Sequence, residues 1–74
     1  MEKIKIVTDF IRLDAFLKLS GMVDTGGQAK FVIQRGEVLV NGEPCTMRGK
    51  KLRNGDTAEF GGKAFQVEQE PQTP

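Results

Sequence analysis

A chain of 74 residues, 38% hydrophobic and 28% charged with a net charge of +1, is one small globular domain with no room for a second. It contains no histidine, which removes His-based acid–base catalysis, Ser/His/Asp and Cys/His nucleophilic sites, and most zinc or copper sites. The single cysteine, Cys45, excludes an intramolecular disulfide framework and any cysteine-cluster metal site, so no cofactor is expected.

In chain order, Lys3 to Val7 alternates polar and apolar residues and reads as a first strand. From Arg12 the period changes. Leu13, Phe16 and Leu17, with Met22 or Val23 beyond a turn, fit one apolar face of a helix over about 12–20, and Gly21 supplies a left-handed stop. Thr25-Gly-Gly-Gln28 fits a capping box, in which the Thr25 hydroxyl accepts an early amide and Gln28 reaches back. The helix it opens buries Ala29, Val32 and Ile33, places Phe31 near the helical core, and ends at Gly36. The short link between the helices makes an αα-hairpin.

The remainder reads as strand and turn. Val38 to Val40 runs into Asn41-Gly42, the pair that a type I′ turn favours. Asn54-Gly55 repeats the signal before Thr57 to Phe60, and Gly61-Gly62 precedes Lys63 to Val67. The expected fold class is α+β, two packed helices followed by a small, mostly antiparallel sheet. Residues 1–67 form the domain and 68–74, lacking apolar anchors, a flexible tail. No apolar run approaches the roughly 18 residues of a membrane span. Met1 to Ile6 opens with alternation instead of a signal-peptide core, so the expected setting is the cytoplasm.

Charge is segregated along the chain. Arg48, Lys50, Lys51 and Arg53 form a run without an acid, while Glu37, Glu43, Asp56, Glu59, Glu68 and Glu70 flank it. Cations within a Debye length of about 10 Å act together on a polyanion, which makes this run a candidate anion-binding patch. A solvated basic loop is the competing reading. For Cys45, a reactive thiol beside these cations competes with a half-buried strand residue.

The ordered series Arg12-Leu13-Asp14, Leu17, Ala29-Lys30, Ile33, Gly36, Val38, Val40-Asn41-Gly42 and Gly55-Asp56 resembles the S4 RNA-binding domain. Leu17 to Gly21, Thr25-Gly-Gly27 and Arg48-Gly-Lys-Lys-Leu52 resemble, more narrowly, the stand-alone bacterial S4 proteins of the YaaA/YbcJ type. That resemblance implies an αL motif presenting a basic face to structured RNA, ribosomal or tRNA-like, with the ribosome as a candidate partner. Carried over to this chain, the face uses Arg12 and Lys18 on the first helix and Lys30, Gln34 and Arg35 on the second. Arg48, Lys50, Lys51 and Arg53 supply its loop. Where many S4 domains place Ser-Arg at the head of helix two, this chain has Gly26-Gly27, and exposed helix-terminal amides there offset the missing arginine. Asp14 is assigned to holding the fold by pairing with a neighbouring cation.

With five Phe and no Trp or Tyr, stacking platforms are few, and cations on a rigid frame suit phosphates and RNA shape. Gly26-Gly27-Gln28 spells the release-factor tripeptide, but here it opens a capped helix without the domain that would deliver it. The expectation is a monomeric, non-enzymatic RNA-binding protein. The alternative is a protein-interaction module acting in ribosome or RNA-enzyme assemblies. Salt separates the two, because phosphate contacts weaken steeply with it and apolar docking does not.

Overall fold

The structure, a computed structural model, describes residues 1–71. Strand β1 (Glu2–Ile6) leads through a bend to β2 (Ile11–Arg12), which runs straight into helix α1 (Leu13–Leu19). Helix α2 (Gly26–Gln34) follows, then β3 (Leu39–Val40), β4 (Glu43–Pro44), β5 (Lys51–Leu52), β6 (Thr57–Phe60) and β7 (Lys63–Gln69). One sheet has the order β1-β7-β6-β3-β4, and β2 with β5 makes a separate two-stranded ribbon. All pairings are antiparallel except β1 with β7. The α+β architecture and the mostly antiparallel sheet are those the sequence predicts.

Helix α2 forms where cap and period agree. At the start of α2 the Thr25 hydroxyl accepts the Gln28 amide at 3.0 Å. The Gln28 side chain accepts from Asp24 at 2.9 Å, one residue further back than a standard capping box. At its end the amides of Gly36 and Glu37 donate to the carbonyls of Ile33 and Val32, a Schellman motif. That geometry needs the left-handed φ of +76° which Gly36 adopts. The type I′ reading of Asn41-Gly42 holds, with φ of 52° and 84°.

Leu13, Phe16 and Leu17 of α1 meet Ala29, Val32 and Ile33 of α2 over Val38, Val40, Leu52, Ala58 and Val67 of the strand region. No polar or charged side chain is buried among the described residues. Phe31, expected near the helical core, is instead 58% exposed. It lies off the stripe that Ala29, Val32 and Ile33 define, and helical period outweighs aromatic character.

The last strand runs past the expected boundary at residue 67. Glu68 and Gln69 continue β7 opposite Lys5 and Ile6, and the Glu70 amide donates to the Ile6 carbonyl at 2.9 Å. A parallel partner strand supplies main-chain bonds that need no apolar anchor, so the chain stays paired through Glu70. Of the expected tail 68–74, residues 72–74 lie outside the described residues.

Leu17 is fully buried and Leu19, two residues on, is 57% exposed. Leu17→Ala should therefore cost about 2–5 kcal/mol, and Leu19→Ala less than about 0.5 kcal/mol. Urea unfolding of the two variants measures the contrast directly.

Candidate nucleic-acid interface

Helix α1 is short, and its N-cap residue Arg12 makes no side-chain cap. Its first amides are satisfied by the basic loop instead. Leu13 donates to the Lys50 carbonyl at 2.8 Å and Asp14 to the Arg48 carbonyl at 3.1 Å. The Ala15 amide donates to the Asp14 carboxylate at 2.8 Å. Orphan donors at a helix start need acceptors, and here two of those acceptors are the backbone of the cation-bearing segment. That segment is thereby fixed against the helix.

The same segment pairs as a strand. Ile11 faces Leu52 and Arg12 faces Lys51 across the β2–β5 ribbon. Leu52 is fully buried and Ile11 packs on the core, so alternation sends Arg12 and Lys51 to the outer face. Phe10 and Arg53 extend that outer face by one position on each strand. The Lys51 ammonium lies 4.8 Å from the Phe10 ring centroid and the Arg53 guanidinium 5.6 Å from it, both at cation–π range.

Arg53 is held from behind. Asp56 accepts the Arg53 amide at 2.8 Å and, with its other oxygen, the Asn41 side chain at 3.1 Å. Asn41 in turn accepts the Thr57 amide at 3.0 Å, which ties the β3–β4 turn to the start of β6.

Toward the helices, Arg12, Asp14, Ala15, Lys18 and Gly26 line a shallow depression of about 300 Å³. The Arg12 guanidinium lies 3.3 Å from Asp14, which bears out the sequence reading of that carboxylate as a partner for a neighbouring cation. Gly26, Lys30 and Gln34 recur every four residues on α2 and so share one stripe of it. A continuous surface thus runs from Arg53 and Phe10 through Lys51, Arg12 and Lys18 to the head of α2, and on along Lys30 and Gln34. Among the described residues the ion pairs are Lys5–Glu70, Arg12–Asp14 and Arg35–Glu37, so Lys18, Lys30, Lys51 and Arg53 face solvent uncompensated by a salt bridge.

Three predicted site residues stand differently. Lys50 alternates away from Lys51 and lines another depression with Val40, Asn41, Glu43, Pro44, Cys45 and Met47. Arg35 is 2.9 Å from Glu37 and lies over the Phe31 ring at 5.1 Å, which gives its charge two local partners. Arg48 is exposed, and the contact that fixes it is its carbonyl on α1. Cys45 is half-buried, next to β4.

Phe10 was not among the sequence candidates. Its signal was present in two tripeptides, Phe10-Ile-Arg12 and Lys51-Leu-Arg53, each with an apolar centre between outward-facing residues.

The S4 domain family profile matches residues 4–68, from β1 to the penultimate residue of β7. The chain belongs to the S4 domain family. That is the RNA-binding family which its motifs resemble, and RNA binding is the activity this S4 domain carries. Over 65 residues it is 48% identical to "Probable ribosome maturation protein RlbA" of Bacillus subtilis (strain 168), covering 86% of this chain and 92% of that protein. Over 57 residues it is 39% identical to "Putative RNA-binding protein YbcJ" of Escherichia coli (strain K12), covering 77% and 81% of the two chains.

The Asp56 bonds predict a variant that disturbs the site through its support. Asp56→Ala removes the acceptor of the Arg53 amide and the partner of Asn41, at a cost of about 1–3 kcal/mol. Hydrogen exchange should quicken first at Arg53 and Thr57, while the α1–α2 amides keep their protection relative to the global unfolding limit.

Proposed function

We propose that this S4 domain binds structured RNA, ribosomal or tRNA-like, as a monomer in the bacterial cytoplasm and performs no chemistry on it. Phosphates are met by the outer face of the β2–β5 ribbon, with Arg12, Lys51 and Arg53, and by Lys18, Lys30 and Gln34 of the helix pair. The observation that carries this reading is the outward grouping of Arg12, Lys51 and Arg53 on a backbone pinned to α1. Cations held on a rigid frame fix register on a phosphate backbone without reading sequence. Arg12 and Arg53 fork onto phosphate oxygens, and Lys18, Lys30 and Lys51 act as point charges. The names of the two relatives support an RNA partner and a role in ribosome maturation.

The head of α2 adds to this face. Gly26 and Gly27 occupy the first turn, whose amides the helix cannot satisfy, and a Cβ at Gly26 would meet nothing within 4 Å. The backbone there is open to an approaching phosphate oxygen, which favours anions at a helix start.

A protein-docking module is the rival reading. The surface around Lys50 favours it, since Met47 is 66% exposed beside Pro44 and Cys45. It requires partner binding that salt hardly alters.

Four neutralised phosphates give a slope of log K against log[salt] of about −3. Raising salt from about 50 to about 200 mM then weakens binding roughly 60-fold. Lys51→Ala/Arg53→Ala should flatten the slope by up to about two units, while Lys50→Ala, on the other side of the strand, changes it far less. Titration of a hairpin-rich RNA across that salt range measures all three proteins. Absence of wild-type binding at low salt, or a double variant that keeps the full slope, removes the RNA reading of this face.

A further inference from the structure

Phosphates call for cations, and Phe10 supplies something else. It is absent both from the buried core and from the partly buried residues packed against that core, unlike Phe60 and Phe65. The Thr8 hydroxyl donates to the Phe10 carbonyl at 2.8 Å, fixing the bend that carries the ring to the end of the ribbon. Beside it lies a shallow depression of about 580 Å³ lined by Val7, Thr8, Asp9 and Phe10. The Lys51 and Arg53 head groups lie over the ring, and neither belongs to an ion pair among the described residues.

A partly exposed aromatic ring next to a guanidinium offers the two kinds of surface on which unpaired bases stack. An ammonium at the same ring supplies the charge that holds the phosphate of the stacked nucleotide. Phe31 also has an arginine over its ring, but that arginine is committed to Glu37. From this geometry we infer that Phe10 and Arg53 form a stacking site for one unpaired nucleobase, with Lys51 on the adjoining phosphate. The preferred RNA is accordingly a helix interrupted by a bulged or looped-out nucleotide, and not an uninterrupted duplex. This inference rests on the RNA-binding reading above and adds the structural feature of RNA that the site selects.

The test compares a short RNA stem carrying one bulged 2-aminopurine with the same stem fully paired. Wild-type protein should bind the bulged stem about tenfold more tightly, as stacking of one base allows, and should change the fluorescence of the bulged base on binding. Phe10→Tyr should keep both effects. Phe10→Leu should abolish the preference for the bulged stem, bringing the two affinities together. If Phe10→Leu melts early, the wild-type preference, the fluorescence and the Phe10→Tyr variant still decide the matter. Equal wild-type affinity for the two stems, or a Phe10→Leu variant that weakens both alike, overturns the stacking site while phosphate binding stands. Failure of wild type to bind either stem at low salt overturns both.

Discussion

The carbonyls of Arg48 and Lys50, accepting the first amides of α1, are the contacts on which the rest of the site depends. A helix of seven residues is too short to persist alone, since nucleation is costly and few bonds follow it. Capping by a distant loop completes that helix and at the same time fixes the loop. Backbone groups of the basic segment are used inward, and strand alternation then turns Lys51 and Arg53 outward. One arrangement thus stabilises the hairpin of helices and presents the cations. Clustering like charges is unfavourable, and the chain offsets it locally. Asp14 sits 3.3 Å from Arg12, and the Phe10 ring takes the two remaining head groups of the ribbon.

Distribution of charge gives the molecule a direction. Glu37 is paired with Arg35, Glu70 with Lys5, and Glu43 of β4 lines the depression that holds Lys50. A net charge of +1 thus conceals a surface on which Lys18, Lys30, Lys51 and Arg53 belong to no ion pair among the described residues, on a chain measuring 41 × 21 × 18 Å. Such a surface orients the domain as it meets a polyanion, an effect that acts over about a Debye length and fades with salt. Rigid presentation suits phosphate spacing in folded RNA, and a single aromatic at the ribbon end suits one displaced base.

Much of this architecture was legible in the residues. Cap and period agree for α2, which Thr25 and Gly36 bracket, and for α1 the apolar spacing of Leu13, Phe16 and Leu17 names the buried face and Gly21 the stop. The ribbon was not legible. Two-residue strands carry no periodicity, and Ile11–Arg12 finds Lys51–Leu52 only through a contact some forty positions away in sequence. Without that pairing the alternation separating Lys50 from Lys51 has no meaning, and from the sequence both fall on one face. Phe10 was missed for the same reason. The extension of β7 to Gln69 was hidden too, because a parallel partner six strands earlier in the chain supplies it. Phe31 was misplaced by residue type, although the helical period had already assigned the buried stripe to its neighbours.

The central claim is that RNA meets the outer face of the β2–β5 ribbon and the adjoining helix surface. Amide chemical-shift mapping of the labelled protein during titration with a structured RNA tests it most directly. The account predicts that shifts concentrate at Phe10, Arg12, Lys18, Gly26, Lys51 and Arg53. Shifts centred on Glu43, Cys45, Met47 and Lys50, or on Phe31, Arg35 and Glu37, with the ribbon unmoved, would contradict it.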